Sequence, residues 1–340
     1  MVLDGSIWPA LARRDRPAPG KTGGVLKMKI ITLGTGTIDI ILRTVQEIKE
    51  GSKIEVEEAF FSLGGGALNA ATTFKNLNLD YLAYFRLGKD LIGKVIFQKI
   101  KKEKLKTKIF WHQEDSQFSI VLLIPKKERT IFVYRGVNDH FSPQELSQIK
   151  QGDFYYLTTQ NTPPNIFQKF LKRIKTKSHL IALNPSKKFL SLAGAKASLD
   201  LADILFLNYE EASTFLNKKL RAKDLGKELY RKLKIKILVL TLGDKGSLTF
   251  FNDKIFSAGI FKPKKFVDPT GAGDAFASAF FACLILNKEI NEENIKKAII
   301  WGSANASSNI EKLGAQIGLL KKKDFSFYEK KKIPLKIWKN

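Results

Sequence analysis

The sequence predicts an α/β fold: a mostly parallel sheet covered by helices on both faces, with a small separate β-sheet standing apart from it. Three observations carry that expectation. From residue 29 onward, short apolar runs alternate with stretches of helical periodicity, the pattern of a parallel sheet whose crossovers are helices. Two stretches, 53–62 and 107–135, break the alternation and read as strands without helices between them, as in Phe118-Ser119-Ile120-Val121-Leu122-Leu123-Ile124. The chain of 340 residues is 44% hydrophobic and 27% charged, which supplies a large core and argues against long-range disorder.

Taken in order, Met28 opens the first strand, Lys29-Ile30-Ile31-Thr32-Leu33-Gly34. Further strands are expected at 81–87, 153–158, 179–183, 204–207, 236–241 and 247–251. Helices are expected at 66–77, 90–104, 164–176, 209–217, 222–233, 272–287 and 292–308. The apolar run from Ala275 to Leu286 is too short for a bilayer and fits a buried helix. Residues 1–27 hold three of the ten arginines and three of the eleven prolines and show neither periodicity. They are expected to be a disordered leader, with Met28 as the working start. Residues 28–340 then form one α/β domain, from which the small separate sheet projects. No apolar run follows the early basic residues, so a signal peptide does not fit. A cytoplasmic protein without a membrane partner is expected.

Composition narrows the chemistry. Cys283 is the single cysteine, which excludes an internal disulfide framework and a thiolate zinc cluster. Its setting, Phe280-Phe281-Ala282-Cys283-Leu284, fits a buried, inert thiol. The three histidines leave little room for His-rich metal sites. The formal charge of +25 raises the reading of a basic, non-catalytic polyanion binder. Yet 48 of the 58 basic residues are Lys, spread along the whole chain, where nucleic-acid readout favours Arg. A lysine-rich solvated surface is the better account, and no nucleic-acid partner is expected.

Two phosphate-binding patterns fail. Gly20-Lys21-Thr22 resembles the end of a Walker A loop, but Asp15 stands where its first Gly belongs and no strand precedes it. Gly34-Thr35-Gly36 follows a strand, but Asp39 replaces the third Gly of a dinucleotide fingerprint. The strong string is Val267-Asp268-Pro269-Thr270-Gly271-Ala272-Gly273-Asp274-Ala275-Phe276, at the head of a long apolar helix. A helix start offers unpaired N–H groups and a positive dipole end, which together hold an anion. Gly271 and Gly273 let that backbone approach a phosphate. Asp274 in the first turn complements the dipole, and it is also placed to act as a base beside a phosphate cradle.

This string resembles the C-terminal signature of the ribokinase (PfkB-type) sugar and nucleoside kinases, and the resemblance extends over roughly residues 29–320. Gly64-Gly65-Gly66-Ala67-Leu68-Asn69 resembles the family's N-terminal glycine pair followed by Asn. Asn208-Tyr209-Glu210-Glu211 resembles its Asn-x-x-Glu motif, and Thr241-Leu242-Gly243-Asp244-Lys245-Gly246 its Thr-x-Gly-x-x-Gly turn. Arg135-Gly136-Val137-Asn138 sits where members often have Arg-Gly-Ala-Asn.

The resemblance implies a ribokinase-like fold, in which the extra strands, roughly 38–62 and 107–135, form a small β-sheet lid over the substrate, and transfer of the γ-phosphoryl group of ATP to a substrate hydroxyl. It implies Asp274 as catalytic base, with Gly271, Ala272 and Gly273 forming an anion hole together with the Asp274 amide. It places Asp39, Gly64, Gly65, Asn69 and Asn138 at the acceptor, and Asn208, Thr241, Gly243, Gly246 and Thr270 at the nucleotide. Glu211 and Asn208 are implied to hold Mg²⁺ through water. Read as local structure alone, Asn208 and Glu211 are a helix N-cap and its capping-box partner, and 241–246 is a strand-to-strand turn.

Some positions depart from the family pattern. Pro269 stands where Thr is frequent, near the region (Asp268, Thr270) where some members bind a monovalent cation such as K⁺. Thr37 stands where several ribose kinases have Asn, and Gly66 where some members have Lys. Phe60, Phe61, Phe110, Trp111 and Phe118 are expected in the lid, either as packing or as a stacking platform for a nucleobase. Sugar and nucleoside acceptors therefore both stand, with a sugar-phosphate kinase using Arg135 as a further alternative. The lid is also the expected surface for a homodimer. Asp39, Asn69 and Asp274, far apart in sequence, are expected to converge on one cleft.

Overall fold

The computed structural model describes residues 28–340 except 47, 49, 125–128 and 177; the expected leader therefore lies outside the described residues. The main sheet is built from β1 (Lys29–Leu33), β4 (Asp80–Gly88), β5 (Thr107–His112), β8 (Phe154–Thr158), β9 (Leu180–Asn184), β10 (Ile204–Asn208), β11 (Ile237–Thr241), β12 (Ser247–Phe251), β13 (Lys254–Ala258) and β14 (Leu335–Lys339). Their spatial order is β14-β13-β12-β11-β10-β9-β8-β1-β4-β5. The pairs from β11 through β1 to β5 are parallel; β11–β12, β12–β13 and β13–β14 are antiparallel.

A second sheet, in the order β3-β2-β6-β7, joins β2 (Thr37–Thr44), β3 (Val56–Gly64), β6 (Phe118–Leu123) and β7 (Thr130–Tyr134). The longer helices are α1 (Gly66–Asn76), α2 (Leu91–Lys102), α4 (Pro164–Lys175), α7 (Tyr209–Leu216), α8 (Ala222–Lys232), α9 (Ala272–Asn287), α10 (Glu292–Asn309) and α11 (Lys322–Lys330). Short helices lie between them: α3 (Pro143–Ser147), α5 (Lys187–Leu190) and α6 (Ala195–Leu199).

Strand alternation distributes the core over both faces of the main sheet. Ile30, Tyr156, Phe206 and Val239 pack on one side with α1, α9 and α10. Ile31, Tyr155, Leu205 and Leu240 pack on the other with α4, α7 and α8. Covered on both faces, such strands are apolar at nearly every position. Helix α9 is sandwiched among neighbours, and Ala275 through Ile285 are all buried, which explains its unbroken apolar run. Cys283 lies within it, and burial pushes its thiol far above the usual range. Among the described residues no helix is long and apolar enough to cross a membrane.

The structure corrects one part of the expected lid. Thr107–His112 pairs parallel with β4 in the main sheet. The run strand–helix–strand across 80–112 is a βαβ unit, and its crossover helix α2 returns β5 beside β4. Phe110 is accordingly packed on Tyr84 and Phe141, and Trp111 on Phe97, away from the lid sheet. The elements β13, β14 and α11 were not anticipated. In α11, Phe325 stacks on Trp301 with ring centroids 4.2 Å apart, which docks a lysine-rich segment onto α10.

Candidate active site

The site lies where open α/β sheets place their sites, beyond the carboxyl ends of the parallel strands, on the side of β1 where the strand order reverses, the chain passing to β4 and β5 on one side and then to β8 and β9 on the other. Asn184, Asn208 and Thr241 are the last residues of β9, β10 and β11. After β1 the chain turns through Gly34-Thr35-Gly36 into β2. The start of α1 is fastened to that turn: Gly66 N–H donates to Thr35 Oγ1 at 3.1 Å and Ala67 N–H to the Thr35 carbonyl at 3.2 Å. Gly65 has φ 92°, and a Cβ there would lie 2.5 Å from the Thr35 carbonyl oxygen. A Cβ on Gly64 would lie 2.5 Å from Asp39 Oδ2. Both glycines thus let the head of α1 close onto the strand that carries Asp39.

Asp274, in the first turn of α9, is half-buried and held from two sides. Asn69 Nδ2 donates to its Oδ2 at 2.9 Å, and Asn184 Nδ2 to its Oδ1 at 3.0 Å. Both amides are themselves oriented. Gln316 Nε2 donates to Asn69 Oδ1 at 3.0 Å, which turns the Asn69 amide nitrogen toward Asp274. Asn184 Nδ2 also contacts the buried Tyr156 hydroxyl at 3.1 Å. Burial raises the Asp274 carboxyl above the usual range, and the two amides pull it back. The result is a carboxylate fixed in position with an increased proton affinity.

Asp39 is 6% exposed. Burial lifts its carboxyl to about 6; the Ser119 side chain and Arg129 lower it, and the charge of Asp268 raises it further. Asp39 thus lies against Gly64, two residues before α1, and Asn69, within α1, meets Asp274 directly.

Before α9 the chain makes a tight turn. Gly271 has φ 75°, and Ala272 N–H donates back to the Pro269 carbonyl at 3.2 Å. One of the expected anion-hole amides is therefore engaged within the turn. The amides of Gly273 and Asp274 are in the first turn, where no intrahelical carbonyl is available. Around Gly273 the space is open: a Cβ there would meet nothing within 4 Å. Asn309 Nδ2 anchors the turn through the Thr270 carbonyl at 2.9 Å.

Asn184, Asn208, Glu211, Thr241, Gly273 and Asp274 line one cavity of about 230 Å³. Asn208 and Glu211 do form a capping box, with Glu211 N–H to Asn208 Oδ1 and Asn208 N–H to Glu211 Oε2, both at 2.8 Å. Burial raises the Glu211 carboxyl, and the charges of Asp274 and Glu210 add to it. A cavity that sets two carboxylates against each other favours a cation, and the hard oxygen donors suit Mg²⁺. Among the described residues no cluster of three or more His, Cys, Asp or Glu could hold a metal unaided. An adjoining cleft of about 660 Å³ contains Thr241, Gly243, Gly246, Ala272 and Gly273 at one end and Phe261, Phe276 and Ile310 among its apolar walls. Asn138 belongs to a 3₁₀ turn, Gly136–Asp139, and its side chain lies outside the described residues.

With this geometry established, comparison with known proteins places the chain. The model of the pfkB family carbohydrate kinases matches residues 27–322. The chain belongs to that family. The Staphylococcus aureus ribokinase is 26% identical over 302 residues, covering 86% of this chain and 96% of the relative. The Methanocaldococcus jannaschii nucleoside kinase is 26% identical over 317 residues, covering 87% and 95%. Among solved structures, Arabidopsis thaliana ribokinase complexed with ribose and ATP superposes with a TM-score of 0.74 at 22% identity, covering 90% of this chain and 100% of that one. This pfkB kinase therefore has the ribokinase fold and is a phosphotransferase acting on a hydroxyl group.

Several residues that hold Asp274, Asn69 and the turn before α9 were missed in the sequence. Asn184 carried one usable signal, an Asn at the carboxyl end of a strand. Gln316 and Arg129 lie outside the recognised motifs and carried none. Gln160, two residues past β8, has φ 47° and is 8% exposed, with neither side-chain amide atom hydrogen-bonded. A buried amide in that state is available to a ligand or a water.

Proposed function

We propose that the enzyme transfers the γ-phosphoryl group of ATP to a hydroxyl of a sugar or nucleoside, with Asp274 as general base. The observation that carries this is the Asn69–Asp274–Asn184 arrangement at the start of α9, beside the first-turn amides. Asn69 and Asn184 hold the carboxylate still, and burial raises its proton affinity, so it accepts the proton of an attacking hydroxyl. The Gly273 and Asp274 amides, with the turn at Gly271 and Ala272, stabilise charge on the transferring group. Asp39 and Asn69 bind acceptor hydroxyls, Gly64 and Gly65 allow close approach of the chain, and Asn138 is read as a further acceptor contact. Gln160 offers a further amide.

On the nucleotide side, Asn208, Thr241, Gly243, Gly246 and Thr270 border the phosphates, and the apolar cleft takes the base. Glu211 and Asn208 would hold Mg²⁺ through water; the ion, when bound, neutralises phosphate charge. No K⁺ ion is assigned to Asp268, whose carboxylate already accepts from Thr270, Gly314 and Arg129. Turnover in K⁺-free buffer tests that point.

Thr37 donates its hydroxyl to the Gln117 carbonyl at 3.0 Å, so it offers an acceptor little where several ribose kinases have Asn. This favours acceptors other than ribose. Arg135 is exposed, which gives the sugar-phosphate alternative weak support. Exposed Ile131, Phe132, Val133 and Tyr134 on β7 support a homodimer through the lid, and a cytoplasmic setting supplies the ATP. The deciding experiment is a panel with ATP and Mg²⁺: ribose, fructose, 2-keto-3-deoxygluconate, adenosine, inosine, cytidine and fructose 6-phosphate. Turnover of at least one unphosphorylated compound is expected; turnover of fructose 6-phosphate alone would replace this reading with the sugar-phosphate one.

A further inference from the structure

Arg129 directly precedes β7, in the lid sheet, yet its guanidinium lies on the turn that leads into α9. Its Nη1 donates to Asp268 Oδ1 at 2.8 Å and also to Thr270 Oγ1, residues 139 and 141 positions away in sequence. Asp268 is completely buried. Its Oδ1 also accepts from Thr270 N–H at 2.9 Å and Thr270 Oγ1 at 2.6 Å, and its Oδ2 accepts from Gly314 N–H at 3.0 Å. Three neutral donors satisfy the lone pairs of a carboxylate but leave its charge, and a buried charge demands an opposite one. Arg129 is the cation paired with it among the described residues.

The placement has a consequence for chemistry. Asp268 and Thr270 are followed at once by Gly271, the left-handed residue that sets the direction of the first-turn amides of α9. Whatever locks Asp268 and Thr270 therefore locks those amides. The lock comes from the lid, and Arg129 also lies close enough to Asp39 to lower its proton affinity. One guanidinium thus spans the acceptor-side strand sheet and the phosphate-side turn.

We propose that Arg129 is a positioning residue for phosphoryl transfer: from the lid it completes the charge cage of Asp268 and so holds the turn at 268–271 in the orientation that presents the α9 amides. This rests on the phosphotransfer reading above. A small misplacement of such donors is enough to cost about 10²-fold in rate.

The test compares wild type with Arg129→Ala and Arg129→Lys on whichever panel compound the wild type phosphorylates. Arg129→Ala is expected to lose about 10²-fold in kcat while KM for ATP holds, with partial recovery on adding guanidinium ion and an intermediate kcat for Arg129→Lys. Hydrogen–deuterium exchange supplies a readout that needs no turnover: amides of 268–275 are expected to exchange faster in Arg129→Ala than in wild type, while those of α10 do not. Wild-type kcat in Arg129→Ala overturns the proposal. So does unchanged exchange at 268–275, or a loss of kcat that neither guanidinium nor Lys relieves and that accompanies exchange throughout the chain. If the wild type phosphorylates nothing in the panel, the phosphotransfer reading fails on its own, and the exchange comparison still decides whether Arg129 holds the turn.

Discussion

In the proposed reaction, the single carboxylate of Asp274 has to stay put and to accept a proton. Two amides supply the first property and burial supplies the second, so replacing the charge alone separates them. Asp274→Asn is expected to lower kcat by about 10²–10⁴ while ATP still binds, as read by a coupled assay and by calorimetry. Full turnover in that variant would falsify the base assignment. Asp39 carries a different prediction, because its carboxyl stands at about 6 against 3.8 in the unfolded chain. The folded state binds this proton more tightly, so Asp39 begins to cost stability as pH rises above about 4, and the cost is complete above about 6. Asp39→Asn should therefore raise the melting temperature more in neutral than in acid solution, with a ceiling of about 3 kcal/mol. An equal change at both pH values contradicts this. The same titration predicts that KM for the acceptor rises as pH falls through about 6, since protonation turns one acceptor site of the carboxylate into a donor and removes its charge.

The head of α9 shows how an element can be tuned against its own stability. Gly273 has open space around it, and Ala is the better helix former. Gly273→Ala is thus expected to stabilise the fold by roughly 0.5–1 kcal/mol and yet to reduce kcat/KM by about 10²-fold, because the methyl group occupies the space in front of the amides. Chemical denaturation and steady-state kinetics on the same variant check both signs. Gly271 behaves oppositely. Its φ is 75°, and a Cβ there would lie 2.7 Å from Ala315 Cβ, so Gly271→Ala is expected to destabilise by about 1–3 kcal/mol. The motif was legible as a string, but the distinction between these two glycines was not: it depends on φ and on Ala315, a neighbour from another part of the chain.

Across the whole molecule, two apolar layers clamp the main sheet. Phe281 in α9 meets Phe74 of α1 and Tyr156 of β8, with centroids at 6.3 and 5.8 Å. Phe281→Ala is expected to cost about 3–5 kcal/mol, visible in the denaturation midpoint, and to loosen the helix that bears Asp274. A loss under about 1 kcal/mol contradicts this account of the core. The +25 charge belongs to this scale too. Many lysines are engaged in surface pairs, such as Lys218 with Glu228 and Lys106 with Asp80, which contribute little individually. The predicted chemistry uses backbone amides and one arginine, and the rest of the charge covers a solvated surface.

The sequence by itself determined the α/β class, the two-sheet plan, the order of the main elements and the motif that begins α9. Those are local properties: periodicity, turn chemistry and a string of residues whose spacing carries meaning. It misassigned Thr107–His112, because a strand's partner is a long-range choice, and there the crossover helix decides it. Asn69 was recognised, but not that Gln316 orients it, and Asn184 and Arg129 were passed over. The reason is the same in each case. Asn69 and Asp274 are 205 positions apart, Gln316 and Asn69 are 247, and Arg129 and Asp268 are 139. Only the closing of the sheet, α1 and the lid around the head of α9 brings these groups within hydrogen-bond reach, and it is there that a buried carboxylate acquires its partners and its altered proton affinity.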